Sequence, residues 1–253
     1  ISACLVGSEM CIRDRYYTTY FGLQVAPEKS LLIPTAHDEP PIYYKIFDRI
    51  FNIPKGILYS TTVERDFINK KFKNNHIYTD IVGLGIEIKN NISKIDLKNK
   101  FLIKNEYVLY LGRIDESKGC KILFENFLEY KKKYNNNLKL VLAGKNVMNI
   151  PKHKDIIALG FVSEEEKVNL IKQAKVLVLP SKFESLSLST LEAMFLGTPV
   201  LLNGECEVLK EHAVLSNGGL YFENKYEFIE TLNFIITHPE ISKKMGENGI
   251  RYV

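Results

Sequence analysis

Short apolar runs alternate with stretches of helical periodicity along most of the chain, a pattern typical of βα repeats. In the second half, runs that fit buried strands occur at residues 107–111, 138–143, 156–159, 176–179, 200–202 and 220–222. Helical spacing falls between and after them, at residues 119–134, 163–173, 187–196, 207–213 and 224–236. Strands that alternate with helices of this length predict a parallel sheet covered by helices on both faces.

The same alternation is found, less regularly, in the first half. Strands are predicted at residues 30–34, 56–60 and 76–82. One helix is predicted by two prolines suited to a first turn and by an apolar stripe after them, at Ile42, Ile46, Phe47, Ile50 and Phe51. The spacing of Thr61 and Glu64 is that of a capping box, which predicts the start of a second helix.

The pattern divides the chain into four segments. Residues 1–15 show neither helical nor strand periodicity. They resemble translated sequencing-adapter sequence, so we predict that they are non-native. Residues 16–85 are predicted to form part of an N-terminal α/β domain, and the Lys- and Asn-rich residues 86–105 a linker. Residues 106–253 are predicted to form a second α/β domain with a truncated final helix. We therefore interpret the sequence as a fragment of a longer protein.

Composition and charge exclude several classes of protein. The 253 residues are 45% apolar and 25% charged, as in ordinary soluble domains, and the net charge is +4. The basic residues are scattered, so a nucleic-acid partner is not expected; an anionic substrate, or peripheral contact with the inner membrane surface, fits better. The four cysteines form neither a CxxC pair nor a Cys/His cluster, so no structural zinc is expected. Without an apolar run of about 20 residues or a secretory signal, a cytoplasmic location is predicted.

The loop after the strand at residues 107–111 is the first candidate for chemistry. Gly112 would let the backbone approach a ligand, and Arg113 and Lys118 offer donors suited to phosphate oxygens. Ser117 is predicted to cap the next helix. An ordinary surface loop with basic residues is the alternative.

The second candidate is a carboxylate on the helix at residues 187–196. A helical wheel places Glu192 inside an apolar arc formed by Leu188, Leu191, Phe195 and Leu196. A carboxylate directed at a core face is costly unless a polar group satisfies it. The hydroxyl groups of a ribose would do so, and a buried salt bridge is the alternative.

Glu184 lies just before that helix, in a strand-to-helix loop. The N–H groups of Ser185, Leu186 and Ser187 are predicted to point out of the helix N-terminus, which attracts anions and hydroxyl oxygens. For Glu184 alone, a solvated loop acid is the alternative.

The two candidate segments together resemble the family 4 (group 1) glycosyltransferases of bacteria. The residues that carry the resemblance are Gly112-Arg113-x4-Lys118-Gly119 and Glu184-x7-Glu192-Ala193-Met194-x2-Gly197-Thr198-Pro199-Val200. The resemblance implies an α/β GT-B fold, in which two Rossmann-like domains with parallel sheets flank an interdomain cleft. The N-terminal domain is expected to be incomplete in this sequence. Ser187 is a departure, because many relatives have glycine there.

The resemblance also implies roles for single residues. Arg113 and Lys118 match residues that hold the donor diphosphate, and Glu192 matches the acid that binds the ribose. Further matches concern the sugar and the base: Glu184 with the amides of Ser185, Leu186 and Ser187 for the transferred sugar, Phe161 and Val162 for the base, and His37 as a histidine that faces the sugar. A purely structural histidine is the alternative for His37.

The function implied is retaining transfer of a sugar from a nucleotide-sugar donor to an unidentified sugar or lipid-linked acceptor, in bacterial surface polysaccharide or glycolipid synthesis. No Asp-x-Asp motif is present, so neither a metal nor a cofactor is expected. A GT-B nucleotide-sugar epimerase or hydrolase, and a non-catalytic nucleotide-binding fragment, are the alternatives. The base, the sugar and the acceptor are not identified by the sequence.

Overall fold

A computed structural model describes residues 17–88 and 92–253 of the chain. The residues predicted to be non-native, 1–15, and residues 89–91 of the predicted linker lie outside the described residues. Contacts divide the chain into two compact units. The N-terminal unit comprises the described residues up to Gly85 and also Phe183–Leu186, and the C-terminal unit comprises Ile86–Lys182 and Ser187–Val253.

The N-terminal unit contains a three-stranded parallel sheet in the order β1-β2-β3. The strands are β1 (Leu31–Leu32), β2 (Gly56–Tyr59) and β3 (Tyr78–Ile81). The helices are α1 (Tyr17–Val25), α2 (Ile46–Ile50) and α3 (Thr62–Phe72), with 3₁₀ turns at Pro27–Lys29 and Pro40–Tyr43. All three strands lie within the apolar runs that predicted them. Their core includes the fully buried side chains of Phe51, Ile57, Tyr59 and Ile68.

The helix predicted after the two prolines is divided into two pieces. Pro40–Tyr43 form a 3₁₀ turn, Tyr44 is extended with φ −72° and ψ 139°, and α2 begins only at Ile46. Ile42 and Phe47 are buried, whereas Ile46 is 47% exposed. The prediction of one continuous stripe was wrong, because the extended residue changes the direction in which the following side chains point.

Thr61 begins α3 as predicted, but the capping box is incomplete. The Thr61 hydroxyl accepts a hydrogen bond from the Glu64 N–H at 3.1 Å. The Glu64 carboxylate, only 2% exposed, accepts instead from the N–H groups of Ala36 at 2.6 Å and Ser60 at 2.9 Å. Glu64 therefore joins the loops that follow β1 and β2.

The C-terminal unit is built on a six-stranded parallel sheet in the order β6-β5-β4-β7-β8-β9. Its strands are β4 (Tyr107–Leu111), β5 (Lys139–Ala143), β6 (Ile156–Gly160), β7 (Val176–Leu179), β8 (Val200–Asn203) and β9 (Gly219–Phe222). The strand order reverses between β4 and β7, and ligands of such sheets bind beyond the carboxyl ends of the strands at this point. The predicted α/β class with parallel sheets is confirmed.

Seven helices accompany these strands among the described residues. They are α4 (Leu97–Phe101), α5 (Cys120–Lys133), α6 (Glu164–Gln173), α7 (Leu188–Phe195), α8 (Glu207–Ser216), α9 (Lys225–Thr237) and α10 (Pro239–Tyr252). A complete capping box, formed by Ser163 and Glu166, begins α6. Among the helices of the described residues, none combines the length and the apolar character needed to cross a membrane.

The segment predicted as a linker contains α4 and belongs by its contacts to the C-terminal unit. Asn169 of α6 is buried, accepts a hydrogen bond from the Ile95 N–H at 2.9 Å and donates one to the Ser93 carbonyl at 2.9 Å. Leu97 and Ile103 are also buried. Low apolar content had indicated a linker, but a few spaced apolar side chains and one buried amide are enough to fix this segment.

Candidate functional site

Three loops approach each other closely beyond the carboxyl ends of β4, β5 and β7. A Cβ on Gly144, which follows β5, would lie 1.9 Å from the carbonyl oxygen of Gly112, which follows β4. A Cβ on Gly119 would lie 2.3 Å from the carbonyl oxygen of Pro180, which follows β7. Gly119 and Gly144 also have positive φ values of 75° and 141°. Only glycine permits this packing, so the loops form one compact platform.

Backbone hydrogen bonds hold the loop after β4 in place. The fully buried Ile114 donates its N–H to the Lys145 carbonyl at 2.8 Å and accepts at its own carbonyl from Val147 at 3.0 Å. The short Gly144-Lys145-Asn146 turn therefore serves as the backbone partner of the loop that carries the predicted phosphate ligands. Arg113, adjacent to Ile114, begins on a fixed backbone.

An aspartate that the sequence had not singled out organises this loop. Asp115 Oδ2 lies 3.0 Å from Arg113 Nε, and the Arg113 side chain remains 49% exposed. Hydrogen bonds from Ser117, together with the positive charges of Arg113 and Lys118, hold the pKa of Asp115 below its usual value. Asp115 is therefore ionised at neutral pH and orients the guanidinium group.

The cap predicted at Ser117 is wrong. Asp115 caps a 3₁₀ turn at Glu116–Lys118, accepting a hydrogen bond from the Ser117 N–H at 2.8 Å, and α5 begins only after Gly119. Gly119, in the left-handed region, occupies the cap position of α5 without a side-chain hydrogen bond. The extra turn between Arg113 and α5 was not visible in the sequence, because a 3₁₀ turn has no distinct apolar period.

Glu192 makes the salt bridge that was the alternative to a ribose contact. Its Oε1 lies 2.8 Å from Lys167 Nζ of α6, and each of the two side chains is 18% exposed. The predicted apolar arc was wrong, because Phe195 is 42% exposed and the residues of α7 that are buried are Thr190, Leu191, Ala193 and Met194. Lys167 was missed because nothing in the order of residues connects α6 with α7.

Phe161 and Val162 follow the carboxyl end of β6, at the same edge of the sheet as the other loops. Phe161 is 88% exposed. Gly160 has φ 71°, and nothing lies within 4 Å of a Cβ placed there. A planar base could pack against this exposed aromatic side chain and the open backbone next to it.

The segment Phe183–Leu186 belongs by its contacts to the N-terminal unit. The ring of Phe183 stacks on His37, with 5.7 Å between centroids and an interplanar angle of 26°. The Thr61 hydroxyl donates to the Ser185 carbonyl at 3.3 Å, and Leu186 is buried. The structure therefore groups Glu184 with His37, a juxtaposition that the sequence alone did not give.

Ser187 is the cap residue of α7, which begins only at Leu188, so the prediction that the N–H groups of Ser185 and Leu186 lie at the helix N-terminus was wrong. Ser187 itself has an unusual conformation. Its φ and ψ are 66° and 78°, in the left-handed region, and its side chain caps no N–H group of the helix. Its hydroxyl lies 2.8 Å from that of Thr190 instead. Glycine would suit this backbone better than serine, because a side chain in the left-handed region is strained.

The predicted site residues are thus divided between the two units. The N-terminal unit holds His37, Glu184, Ser185 and Leu186, and the C-terminal unit holds Gly112, Arg113, Lys118, Phe161, Val162, Ser187 and Glu192. Among the described residues, no group of three His, Cys, Asp or Glu side chains is placed to hold a metal ion.

A separate concavity of about 760 Å³ lies at the opposite, amino ends of β5 and β6. It contains a buried ion pair, in which Lys131 Nζ lies 3.3 Å from Asp155 Oδ2 with side-chain exposures of 9% and 5%. Lys131 also donates to the Leu138 carbonyl at 3.1 Å. Because these groups satisfy each other, we interpret the cluster as structural and place the functional site at the carboxyl edge of the sheet.

Comparison with known sequences identifies the family. The profile described as "Glycosyl transferases group 1" matches residues 92–252. This chain belongs to that family. An uncharacterized glycosyltransferase of Haemophilus influenzae is 28% identical over 199 residues, which cover 75% of this chain and 54% of the relative. Alpha-1,3/1,6-mannosyltransferase ALG2 of Dictyostelium discoideum is 26% identical over 234 residues, with coverages of 82% and 53%. The chain spans about half the length of these relatives.

Solved structures support the fold of this family member. Sucrose-phosphate synthase from Thermosynechococcus elongatus superposes with a TM-score of 0.73 at 17% identity, over 92% of this chain and 66% of that chain. Anabaena Alr3699/HepE in complex with UDP and glucose gives 0.73 at 14% identity, over 92% and 69%. With the parallel sheets of both units, these likenesses show the GT-B fold with Rossmann-like domains.

Proposed function

We propose that this chain is the donor-binding part of a retaining, metal-independent glycosyltransferase that needs no cofactor. It moves a sugar from a nucleoside diphosphate to a sugar or lipid-linked acceptor, in bacterial surface polysaccharide or glycolipid synthesis. The observation that carries the proposal is the platform of loops after β4, β5 and β7, which fixes Arg113 and Lys118 at the switch point of the sheet. Alr3699/HepE was solved with UDP, which makes UDP the first nucleotide to test.

In the proposed reaction, the bond between the sugar C1 and the diphosphate oxygen breaks while the acceptor oxygen bonds to C1 from the same face. The departing phosphate oxygen takes the acceptor's proton, so no separate side-chain base is needed. Arg113 and Lys118 stabilise the charge that develops on the diphosphate as preorganised donors. Loss of one such contact typically costs about 3 kcal/mol, or roughly 100-fold in rate.

The remaining site residues recognise the sugar and the nucleoside. Glu184, the amides of Ser185 to Ser187, and His37 would hold the transferred sugar, and the stack of Phe183 on His37 fixes the imidazole plane. Glu192 would accept hydrogen bonds from the ribose, and Phe161 with Val162 would pack against the base.

A binding experiment tests the donor site. Calorimetric titration with UDP, GDP and ADP should identify one preferred nucleotide, and Arg113→Ala and Lys118→Ala should each weaken its binding at least tenfold. Lys132→Ala and Lys133→Ala are the matched controls, because both side chains are exposed and pair at the surface with Glu129 and Glu230. Lys131 is unsuitable as a control, since its buried pair with Asp155 stabilises the fold. Equal losses in both sets would refute a specific diphosphate site.

Product analysis separates the proposal from its alternatives. Incubation of the preferred nucleotide-sugar with candidate acceptors should give a glycoside whose anomeric configuration, read by NMR, is that of the donor. Free sugar formed equally with and without acceptor would indicate a hydrolase, and an altered sugar on the nucleotide an epimerase. Tight nucleotide binding without any turnover would favour a binding fragment. A divalent-metal chelator should leave the transfer rate unchanged.

The N-terminal unit offers a surface for the proposed peripheral contact with the cytoplasmic face of a membrane. Tyr43, Tyr44 and Ile46 are 53%, 65% and 47% exposed. Lys71 Nζ lies 4.1 Å from the Tyr43 ring centroid. Tyrosines suit the interfacial region of a bilayer, and lysines are attracted to anionic headgroups. Sedimentation with vesicles containing phosphatidylglycerol should carry the protein down, and Tyr44→Ser with Lys71→Ser should reduce this. Equal sedimentation of the double variant would refute this surface.

A further inference from the structure

The pair formed by Lys167 and Glu192 lies beside the proposed nucleoside site, within the C-terminal unit. Lys167 Nζ is 2.8 Å from Glu192 Oε1 and 2.7 Å from Glu164 Oε2. Both partners of the Lys167–Glu192 pair are 18% exposed, so they are largely removed from water without being sealed from a ligand. Charge-assisted hydrogen bonds of this length are stronger than neutral ones and fix the geometry of both groups.

The backbone that carries Lys167 is unusually well anchored. The capping box of Ser163 and Glu166 fixes the start of α6, and Glu166 Oε1 lies 2.8 Å from Lys100 Nζ of α4. One turn further on, Asn169 is hydrogen-bonded to the segment before α4. The backbone of Lys167 is therefore held in place, and its ammonium group contacts Glu192 of α7 from that fixed backbone.

Lys167 is charged across the neutral range. Burial acts to lower the pKa of Lys167, but its hydrogen bonds with Glu164 and Glu192 outweigh that effect and raise the pKa above the usual value. The ammonium group has three donors, of which two are used by the carboxylates. A carboxylate has about four acceptor positions on its two oxygens, so a bond to Oε1 leaves acceptor capacity for hydroxyl groups.

We propose that Lys167 is a positioning residue, which holds Glu192 in the rotamer that accepts the ribose hydroxyls. This inference rests on the proposed nucleoside diphosphate site. A glutamate on a helix surface has three rotatable bonds and would lose this freedom on binding a ligand. A carboxylate that is already fixed avoids that loss, so its hydrogen bonds contribute more to affinity. Lys167 therefore determines how strongly the site distinguishes ribose from deoxyribose.

The test compares the ribonucleoside diphosphate that the protein binds most tightly, among UDP, GDP and ADP, with its 2′-deoxy and 3′-deoxy forms. Calorimetry on the unchanged protein should show that loss of one hydroxyl weakens binding about 10-fold to 100-fold, as expected for a hydrogen bond to a charged group. Lys167→Met should reduce this ratio to about threefold or less. Lys167→Arg should restore most of it. The matched control is Lys175→Met, which removes an exposed pair with Glu106 in the same unit and should leave the ratio unchanged.

The outcomes distinguish failure of the proposed function from failure of the proposed role of Lys167. No binding of any nucleoside diphosphate by the unchanged protein would overturn the proposed function and this inference with it. Normal binding, with the same ratio in Lys167→Met as in the unchanged protein, would overturn the role of Lys167 alone. A larger ratio in Lys167→Met would also overturn it, because Lys167 would then compete with the ribose. If Lys167→Met does not fold, Lys167→Gln takes its place.

Discussion

Replacement of Gly119 by alanine tests whether the close approach of the loops matters for the site. Gly119 separates the loop that carries Arg113 and Lys118 from α5, and its φ is 75°. The added Cβ would lie 2.3 Å from the carbonyl oxygen of Pro180, where ordinary contacts begin at 3.4 Å. The loop after β4 or the loop after β7 must therefore move by about 1 Å, a shift that can cost roughly 100-fold in an active site.

The expected loss of stability has two parts. A side chain in the left-handed region costs about 1–2 kcal/mol. Steric overpacking adds about 1–3 kcal/mol. The sum, about 2–5 kcal/mol, corresponds to a lower melting temperature by roughly 4–20 °C for a unit of this size.

Gly160→Ala is the matched control for the backbone conformation. Gly160 has a similar φ of 71°, but nothing lies within 4 Å of its Cβ position. Its alanine variant should lose only the first part, about 1–2 kcal/mol. The assay is thermal unfolding followed by calorimetry, with the dissociation constant of the preferred nucleoside diphosphate measured on the folded variants. If Gly119→Ala unfolds at the same temperature as Gly160→Ala, the reasoning from the contact with Pro180 is refuted.

Three further predictions concern single side chains. Ser187→Gly should be more stable than Ser187→Ala by about 1 kcal/mol in chemical denaturation. Both variants lose the contact with Thr190, but only glycine relieves the strain of the left-handed backbone. Equal stability of the two variants would argue against that conformation. Asp155→Asn should cost about 3 kcal/mol at pH 7 because it leaves Lys131 buried without its partner. Burial opposes the charge on Asp155, but hydrogen bonds from Lys139 and Lys131 lower its pKa below the usual value of 3.8. The ionised carboxylate therefore stabilises the fold above pH 3.8, and this stabilisation is lost as the pH falls through the lowered pKa. An equal loss of unfolding free energy in Asp155→Asn at pH 7 and at pH 2 would contradict this. His37→Ala should slow sugar transfer about 100-fold while nucleoside diphosphate binding stays nearly unchanged, and unchanged turnover would exclude a role at the sugar.

The C-terminal sheet could be predicted well from the sequence. Every residue of β4, β7 and β8 is buried, and parallel strands buried on both faces appear as continuous apolar runs. Caps formed between neighbouring residues, such as Ser163 with Glu166, could also be predicted because both partners lie within one turn. These features depend on short stretches of sequence.

Features that depend on distant partners could not be predicted. Glu64 has the spacing of a capping residue, yet its carboxylate binds backbone groups of two other loops. Glu192 was assigned to an apolar arc because a helical wheel does not show which face of α7 packs against α10; Phe195 of that arc is exposed. Of the candidate site, the sequence singled out Arg113 and Glu192, but their ion-pair partners, Asp115 and Lys167, required the structure.

The buried carboxylate of Glu64 couples the local opening of the loops that follow β1 and β2. The amides of Ala36 and Ser60 share one acceptor group, so if either loop opens, the buried carboxylate loses one of these hydrogen bonds and its bond to the other amide is affected. In hydrogen exchange, the protection of these two amides should rise and fall together, although they are 24 positions apart in the sequence. A shorter acid or a neutral amide at position 64 would uncouple them. The backbone next to His37 therefore depends on a side chain of α3, 28 positions further along the chain.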